Sequence, residues 1–393
     1  MATPEGSGAL AVAEAAPRCQ DDIVVGTEAN YELIGQVQQL ASKRTVPFNV
    51  TVELTLKCNI RCLHCYNLDR DEPQHGACRS GDAPQRPELS LAEILRLLGD
   101  LRDAGCLTLG LTGGEVLTYP HLFAVLDRAR ELNLAVQVLT NGTMLQPGVA
   151  GRLASYRNLL GISVSLYGAT ADVHDGITQI AGSFRRTWDG VQRMRAAGVA
   201  VRLKFIVMRQ NAHQMAEMRA QARERDLSYL VDVTITSRHD GSSGSLVTRV
   251  TDEQLRDLYQ GPLRDMVPSG KRQMTEERFP CNCARGNCAV SVTGDVLPCI
   301  SVPWSAGNVR DRPFIDIWRY SPVFQKIRGL RIADYEACAP CPDKSFCTRS
   351  RGAAFTHSGS YTGTDPFVCK TAAISREVVM SSRGPDAPSA TAK

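Results

Sequence analysis

From Phe48 onward the chain alternates between two hydrophobic periods. Short apolar runs rich in β-branched residues and bounded by turn residues fall at 48–56, 107–112, 134–140, 159–166, 199–208 and 230–236. Between them, at 91–105, 121–133, 149–156, 183–198 and 212–226, apolar residues recur every three to four positions, the signature of amphipathic helices. Ser90 stands as N-cap of the first helix and Gly105 closes it. Strand and helix periods in alternation predict right-handed βαβ units. The fold class is therefore α/β, with six parallel strands in a sheet that is open or curved into all or part of a barrel.

In such sheets functional groups gather at the carboxyl ends of the strands. The stretch CNIRCLHCY, Cys58 to Tyr66, follows the first strand, Thr112-Gly113-Gly114-Glu115 the second and Thr140-Asn141-Gly142 the third, while Ser163 and Ser165 lie late on the fourth. All converge on one face. Residues 67–87, polar and carrying Cys78, read as a long inserted loop. The pattern divides the chain into an N-terminal arm at 1–47, partly disordered, a core at 48–240, a bridge at 241–280 containing a helix, a cysteine-rich module at 281–375 and a flexible tail at 376–393.

Composition narrows the class. The chain has 393 residues, 43% of them hydrophobic, enough for a large buried core. No run approaches the roughly 18 apolar residues of a membrane span, and the start lacks the basic and apolar regions of a signal peptide, so the expected location is the cytoplasm with no membrane partner. Lys and Arg number 45 against 41 Asp and Glu, without one long basic patch, which argues against a nucleic-acid partner. Fourteen cysteines in such a chain point to metal ligation rather than disulfides. Eleven fall in two groups, Cys58, Cys62 and Cys65 early and eight beyond residue 280.

The early spacing, CX3CX2C, offers three thiolates. A zinc site wants a fourth ligand, and the nearest candidate, His64, is adjacent to Cys65. A [4Fe-4S] cluster held by three thiolates leaves one iron open to a further ligand. This motif, followed by Gly-Gly-Glu after the second strand, resembles that of the radical SAM superfamily. The resemblance implies a (β/α)6 partial TIM barrel, a cluster on Cys58, Cys62 and Cys65, and S-adenosylmethionine chelated to the open iron. It also assigns Tyr66, Gly113, Gly114, Glu115, Asn141, Ser163 and Ser165 to cofactor binding, with backbone groups of Gly-Gly-Glu holding the methionyl amine. Two positions depart from the pattern: Val116 stands where Pro is common, and 172–178 (DVHDGIT) lacks an Arg often found near it.

The late cysteines are similar to those of the SPASM extension, a loop-rich, cysteine-rich C-terminal domain. Gly294 through Cys299 and the CX2CX5C run of Cys338, Cys341 and Cys347 match its pattern, and Cys369 supplies the last thiolate. A thiolate that the pattern places near Ser350 or Arg351 is missing. The resemblance implies two auxiliary [4Fe-4S] clusters, three in all, one held by Cys281, Cys283, Cys288 and Cys299 and the other by Cys338, Cys341, Cys347 and Cys369. A first auxiliary cluster with three protein ligands and an open iron is an alternative, as is a pair of zinc ribbons. Of the leftover cysteines, Cys106 reads as a core residue and Cys19 falls in the arm; Cys78 is incidental or a hydrogen donor near the radical site.

The implied activity is reductive cleavage of S-adenosylmethionine to a 5'-deoxyadenosyl radical, which abstracts hydrogen from a ribosomally synthesised peptide to install a crosslink, oxidation or inverted stereocentre. The alternatives are a small-molecule or cofactor precursor as substrate, and a non-enzymatic electron carrier. The implied partners are a peptide substrate and a one-electron donor such as flavodoxin or ferredoxin. Because the segment before Phe48 is too short for a winged recognition module, leader recognition is expected to need a separate protein. Asp232, Arg238 and Asp240 at the mouth of the last strand are candidate substrate contacts or solvated loop charges.

Overall fold

A computed structural model describes residues 28–67, 86–270, 275 and 281–382, which leaves Cys19 and Cys78 outside the described residues. Helix α1 (Glu28–Lys43) leads into β1 (Asn49–Glu53), and the barrel continues through α2 (Leu91–Asp103), β2 (Thr108–Thr112), α3 (Leu122–Glu131), β3 (Ala135–Thr140), α4 (Pro147–Ala154) and β4 (Leu159–Ser165). It is completed by α5 (Ala171–Thr178), α6 (Ser183–Ala196), β5 (Val201–Ile206), α7 (Met215–Glu224) and β6 (Ser228–Asp232). Helix α8 (Asp252–Gln260) bridges to β7 (Asn287–Val290) and β8 (Val296–Leu297), followed by α9 (Phe314–Tyr320), α10 (Pro322–Gly329), α11 (Arg351–Ser358) and α12 (Pro366–Ser381).

The six expected strands are present and parallel, in the order β6-β5-β4-β3-β2-β1. On one face Val50, Val52, Leu109, Leu111, Val136, Val138, Ile162, Val164, Leu203 and Phe205 join a single hydrophobic core with the covering helices. Because side chains alternate, the other face carries Thr51, Glu53, Gly110, Gln137, Ser163, Ser165 and Lys204, and beside this polar lining Tyr167, Ile177, Met208 and Ile235 form a small second cluster against which Ile206 and Cys62 pack. Ser90 closes a capping box at the start of α2: its hydroxyl accepts from the Glu93 amide at 3.3 Å, and Glu93 accepts from the Ser90 amide at 2.8 Å.

The cysteine-rich module does not stand apart from this sheet. Strand β7 pairs in parallel with β1, Cys288 opposite Val50 and Val290 opposite Val52, and β8 adds an antiparallel edge, so the sheet has eight strands. Arg310 reinforces the junction through an ion pair to Glu93 at 2.5 Å, and this hydrogen-bonded guanidinium holds the Glu93 carboxyl down at about 2. The described parts of the arm and the tail are helical. Helix α1 occupies 28–43, with the Trp318 indole donating to Thr45 O just beyond it at 2.6 Å, and α12 runs on to Ser381 against α8. Among the described residues no helix is long and apolar enough to cross a membrane.

Candidate active site

The loop bearing Cys58, Cys62 and Cys65 is fixed from two sides. Arg61 and Leu63 donate their amides to the carbonyls of Thr178 and Ile177 at 2.9 and 3.1 Å, at the carboxyl end of α5, a helix that the sequence pattern did not reveal. On the other side Gly114 N–H bonds Thr55 O at 2.6 Å and Glu115 N–H bonds Lys57 O at 2.8 Å. A Cβ on Gly113 would lie 2.3 Å from Thr55 O, and one on Gly114 would lie 2.3 Å from both Leu56 O and Lys57 O. Both glycines are therefore required by close backbone approach, and Gly113 also has φ of 150°.

Glu115 is buried, and its carboxylate accepts from Thr140 Oγ1 at 2.6 Å, Asn141 N at 2.6 Å and Leu117 N at 3.0 Å. It thus ties the end of β2 to the turn after β3. Asn141 carries the connection onward, its amide donating to Asn59 Oδ1 at 2.9 Å and lying 3.9 Å from Cys58 Sγ. Ser163 accepts from Gln137 at 2.8 Å on the polar face of the sheet. Ser165 lies beside the hydroxyl of Tyr167 and favours its ionised form.

Tyr167 and His239 were not singled out by sequence reasoning, since neither belongs to a spaced motif. The Tyr167 phenol is pushed well above its usual pKa, first by burial and then by the charges of Cys62, Cys65 and Cys58, so all three thiols bear on one hydroxyl. Its ring meets His64 edge-on at 4.7 Å and stacks on His174 at 5.6 Å. His174 Nδ1 accepts from Tyr167 N at 3.1 Å, and burial pushes its pKa down to about 4. Asp175 accepts from Gly182 N, Ser183 Oγ and Phe184 N; burial raises its pKa, but these bonds outweigh that and leave it lowered. The 172–178 segment therefore builds the wall behind the thiols. His239, 1% exposed, sits 4.8 Å from the Tyr66 ring and donates its backbone N–H to Tyr66 O at 2.9 Å; neither ring nitrogen has a hydrogen-bond partner.

The loop charges after β6 have local partners. Asp232 accepts from Thr234 N at 2.8 Å and Asp240 from Ser242 N at 2.7 Å, while the Arg238 guanidinium packs over Gly244.

The late cysteines fall into unequal sets. Cys369 on α12 is raised in pKa by burial and then by the charges of Cys347, Cys338 and Cys341. Cys281 and Cys283 form a second neighbourhood: Cys283 N–H bonds Cys281 Sγ at 3.3 Å, and the Tyr361 hydroxyl lies 3.1 Å from the same sulfur. The Cys283 bond, with those from Tyr361, outweighs burial and lowers the Cys281 pKa to about 6. The turn after Cys299 reaches this region through Ser301, where a Cβ on Gly352 would lie 2.4 Å from Ser301 Cβ. Cys288 follows Asn287, which pairs with Cys283 in an isolated parallel bridge. It lies on β7 in the hydrophobic core, and the charges bearing on it are those of Cys106 and Arg328. Cys106 is fully buried, as expected for a core residue, and burial pushes its pKa up to about 12.

All twelve described cysteines are free thiols, and among the described residues no three Cys, His, Asp or Glu side chains close around a single ion. The loop still fits the group its spacing implies: three half-buried thiols share Tyr167 as a common neighbour, and the Gly113–Glu115 backbone lies against the strand end that leads to Cys58.

Fold and site together define a class: a parallel α/β partial barrel with a thiol-bearing loop after its first strand and a cysteine-rich extension joined to its sheet. Residues 52–221 match the radical SAM superfamily and residues 281–342 match SPASM, an iron-sulfur cluster-binding domain. The chain therefore carries a radical SAM domain followed by a SPASM domain. The AdoMet-dependent heme synthase of Methanosarcina barkeri is 27% identical over 347 residues, covering 82% of this chain and 96% of that protein. The mycofactocin maturase MftC of Mycobacterium tuberculosis is 28% identical, covering 84% and 85%. In fold, the chain is similar to Streptococcus suis SuiB bound to its precursor peptide SuiA, with a TM-score of 0.61 at 15% identity, covering 88% and 82%. The same holds for anSMEcpe with bound AdoMet, with a TM-score of 0.62 at 14% identity, covering 86% and 98%.

Proposed function

We propose that this chain is a maturase that modifies a ribosomally made peptide in the cytoplasm. A [4Fe-4S] cluster on Cys58, Cys62 and Cys65, reduced by a donor such as flavodoxin or ferredoxin, would supply the electron that cleaves S-adenosylmethionine to methionine and the hydrogen-abstracting 5'-deoxyadenosyl radical. The chain's own contribution is placement. The Gly113–Glu115 backbone would receive the methionyl amine, Asn141 orients the loop beside Cys58, and Tyr167 with His174 backs the loop on its buried side. The observation that carries this reading is that the thiol-bearing loop is held at the carboxyl ends of the strands between the tightly packed Gly113–Glu115 backbone and the end of α5.

The polar sheet face favours a peptide. It carries Gln137, Ser163 and Lys204, polar groups able to meet the amides of an extended chain. Cys338, Cys341, Cys347 and Cys369 are proposed to hold one auxiliary cluster, and Cys281, Cys283 and Cys299 to provide the protein ligands of another. The second reading, a tetrapyrrole or other cofactor precursor as substrate, is supported by the relative named as a heme synthase, which the match covers almost end to end. To separate the two, perdeuterated peptide from the short reading frame nearest this gene is offered alongside a deuterated tetrapyrrole. Deuterium in 5'-deoxyadenosine from the peptide supports the first reading; deuterium from the tetrapyrrole alone replaces it with the second.

A further inference from the structure

Where the cysteine pattern lacks a thiolate, the chain has placed a buried cation. Arg351 is the first residue of α11, directly after its N-cap Ser350, and is only 6% exposed. Its guanidinium lies over the Tyr335 ring at 4.9 Å. Nη1 makes only long bonds, to Tyr361 O at 3.4 Å and Gly363 O at 3.3 Å, and the buried Nε has no hydrogen-bond partner. Among the described residues no carboxylate forms an ion pair with it.

A buried charge without a counter-ion is costly, so the groups that surround it matter. The electrostatic neighbours of Arg351 are thiols from both sets: its charge bears on Cys281 on one side and on Cys347 on the other. Tyr335, under the guanidinium, accepts from Cys338 N at 2.8 Å through its carbonyl, and Tyr361, whose carbonyl Nη1 reaches, has its hydroxyl 3.1 Å from Cys281 Sγ, which puts this cation between the two sets rather than at the edge of one. A thiolate-ligated iron-sulfur cluster is net negative and becomes more so on reduction. A fixed positive charge and a free N–H donor beside it favour the reduced form, since net charge and hydrogen bonds to sulfur are main determinants of cluster potential.

We propose that Arg351 is a positioning residue that raises the reduction potentials of the iron-sulfur sites on both sides of it and supplies the charge that offsets their thiolates. The inference rests on the reading of the late cysteines as cluster ligands. It does not depend on which substrate is modified.

The test uses full-length, anaerobically reconstituted protein in which Cys58, Cys62 and Cys65 are all changed to Ala, so that only the SPASM sites carry iron. Redox titration followed by electron paramagnetic resonance is run on this background and on Arg351→Lys and Arg351→Gln made in it. If the background shows no auxiliary signal, the cluster reading itself fails. If it does, the expected result is that R351Q lowers the reduced-to-oxidised ratio at fixed potential about tenfold, about 59 mV for a one-electron couple, while R351K keeps most of the wild-type value. Equal midpoints in all three proteins at equal iron content would overturn the proposal. Should R351Q fail to load iron, loading retained by R351K supports the role of the charge, and loading lost in R351K as well overturns it.

Discussion

The carboxylate of Glu115 accepts the backbone N–H of Asn141 at 2.6 Å, so the motif after the second strand is tied directly to the turn after the third. Through Asn59 and Cys58 that tie reaches the thiol-bearing loop. Glu115→Ala leaves Thr140 Oγ1, Asn141 N and Leu117 N without their acceptor in a buried site. A loss of about 2–4 kcal/mol is expected in denaturant unfolding, together with weaker binding of S-adenosylmethionine. An unchanged midpoint would show that the tie carries no stability.

Gly114→Ala tests close approach. The new methyl would meet Leu56 O and Lys57 O at 2.3 Å, so the loop must move, and the iron bound through Cys58, Cys62 and Cys65 is expected to fall sharply in a variant that still folds. Gly176→Ala is the matched control. It lies in α5 with nothing within 4 Å of its Cβ position, and stability is expected to hold or rise by up to about 1 kcal/mol. Equal iron in both variants would contradict the close-packing account.

Glu53 predicts a pH dependence. It is fully buried on β1, one oxygen has no partner, and burial, with a smaller push from Glu88 and against a backbone bond from Val292, raises its pKa to about 7. A raised carboxyl pKa means that the folded state binds the proton more tightly than the unfolded chain. Its effect on stability is nil below pH of about 4.5, grows unfavourable as pH rises toward 7, and is constant above that. Glu53→Gln should therefore gain stability relative to wild type across that window, by a few kcal/mol at pH 8. A gain independent of pH, measured by urea unfolding from pH 4 to 8, would mean that Glu53 is not held protonated.

Cysteine replacement separates core from ligand. Cys288→Ala is expected to keep the full iron content and lose about 1–2 kcal/mol of stability from the core, whereas Cys281→Ala should lose the iron of one SPASM site. Iron counted per chain decides it. Loss of a whole cluster in C288A would restore Cys288 to the ligand set.

How much of this was legible in the sequence depends on the range of the signal. The six βα units and the Ser90 cap are written in local periodicity, and the three loop cysteines in their spacing. The pairing of β7 with β1 joins Cys288 to Val50, residues far apart in the chain, and no local pattern reports such a contact. Spacing groups Cys288 with Cys281 and Cys283, and the pairing adds a core position that spacing cannot report. Helix α5 was missed because DVHDGIT is short and mostly polar; Tyr167 and His239 were missed because an isolated aromatic residue carries no periodic signal. The missing thiolate near Arg351 was visible, but what replaces it required the packing of α11 on Tyr335 and Tyr361.

The most direct measurement concerns the radical chemistry itself. Anaerobically reconstituted protein is incubated with dithionite and S-adenosylmethionine, and 5'-deoxyadenosine is quantified. Turnover is expected in the wild type and absent from Cys62→Ala, whose SPASM sites still hold iron. Iron-loaded wild type that forms no 5'-deoxyadenosine, or C62A that forms as much, would contradict the assignment of Cys58, Cys62 and Cys65 to reductive cleavage.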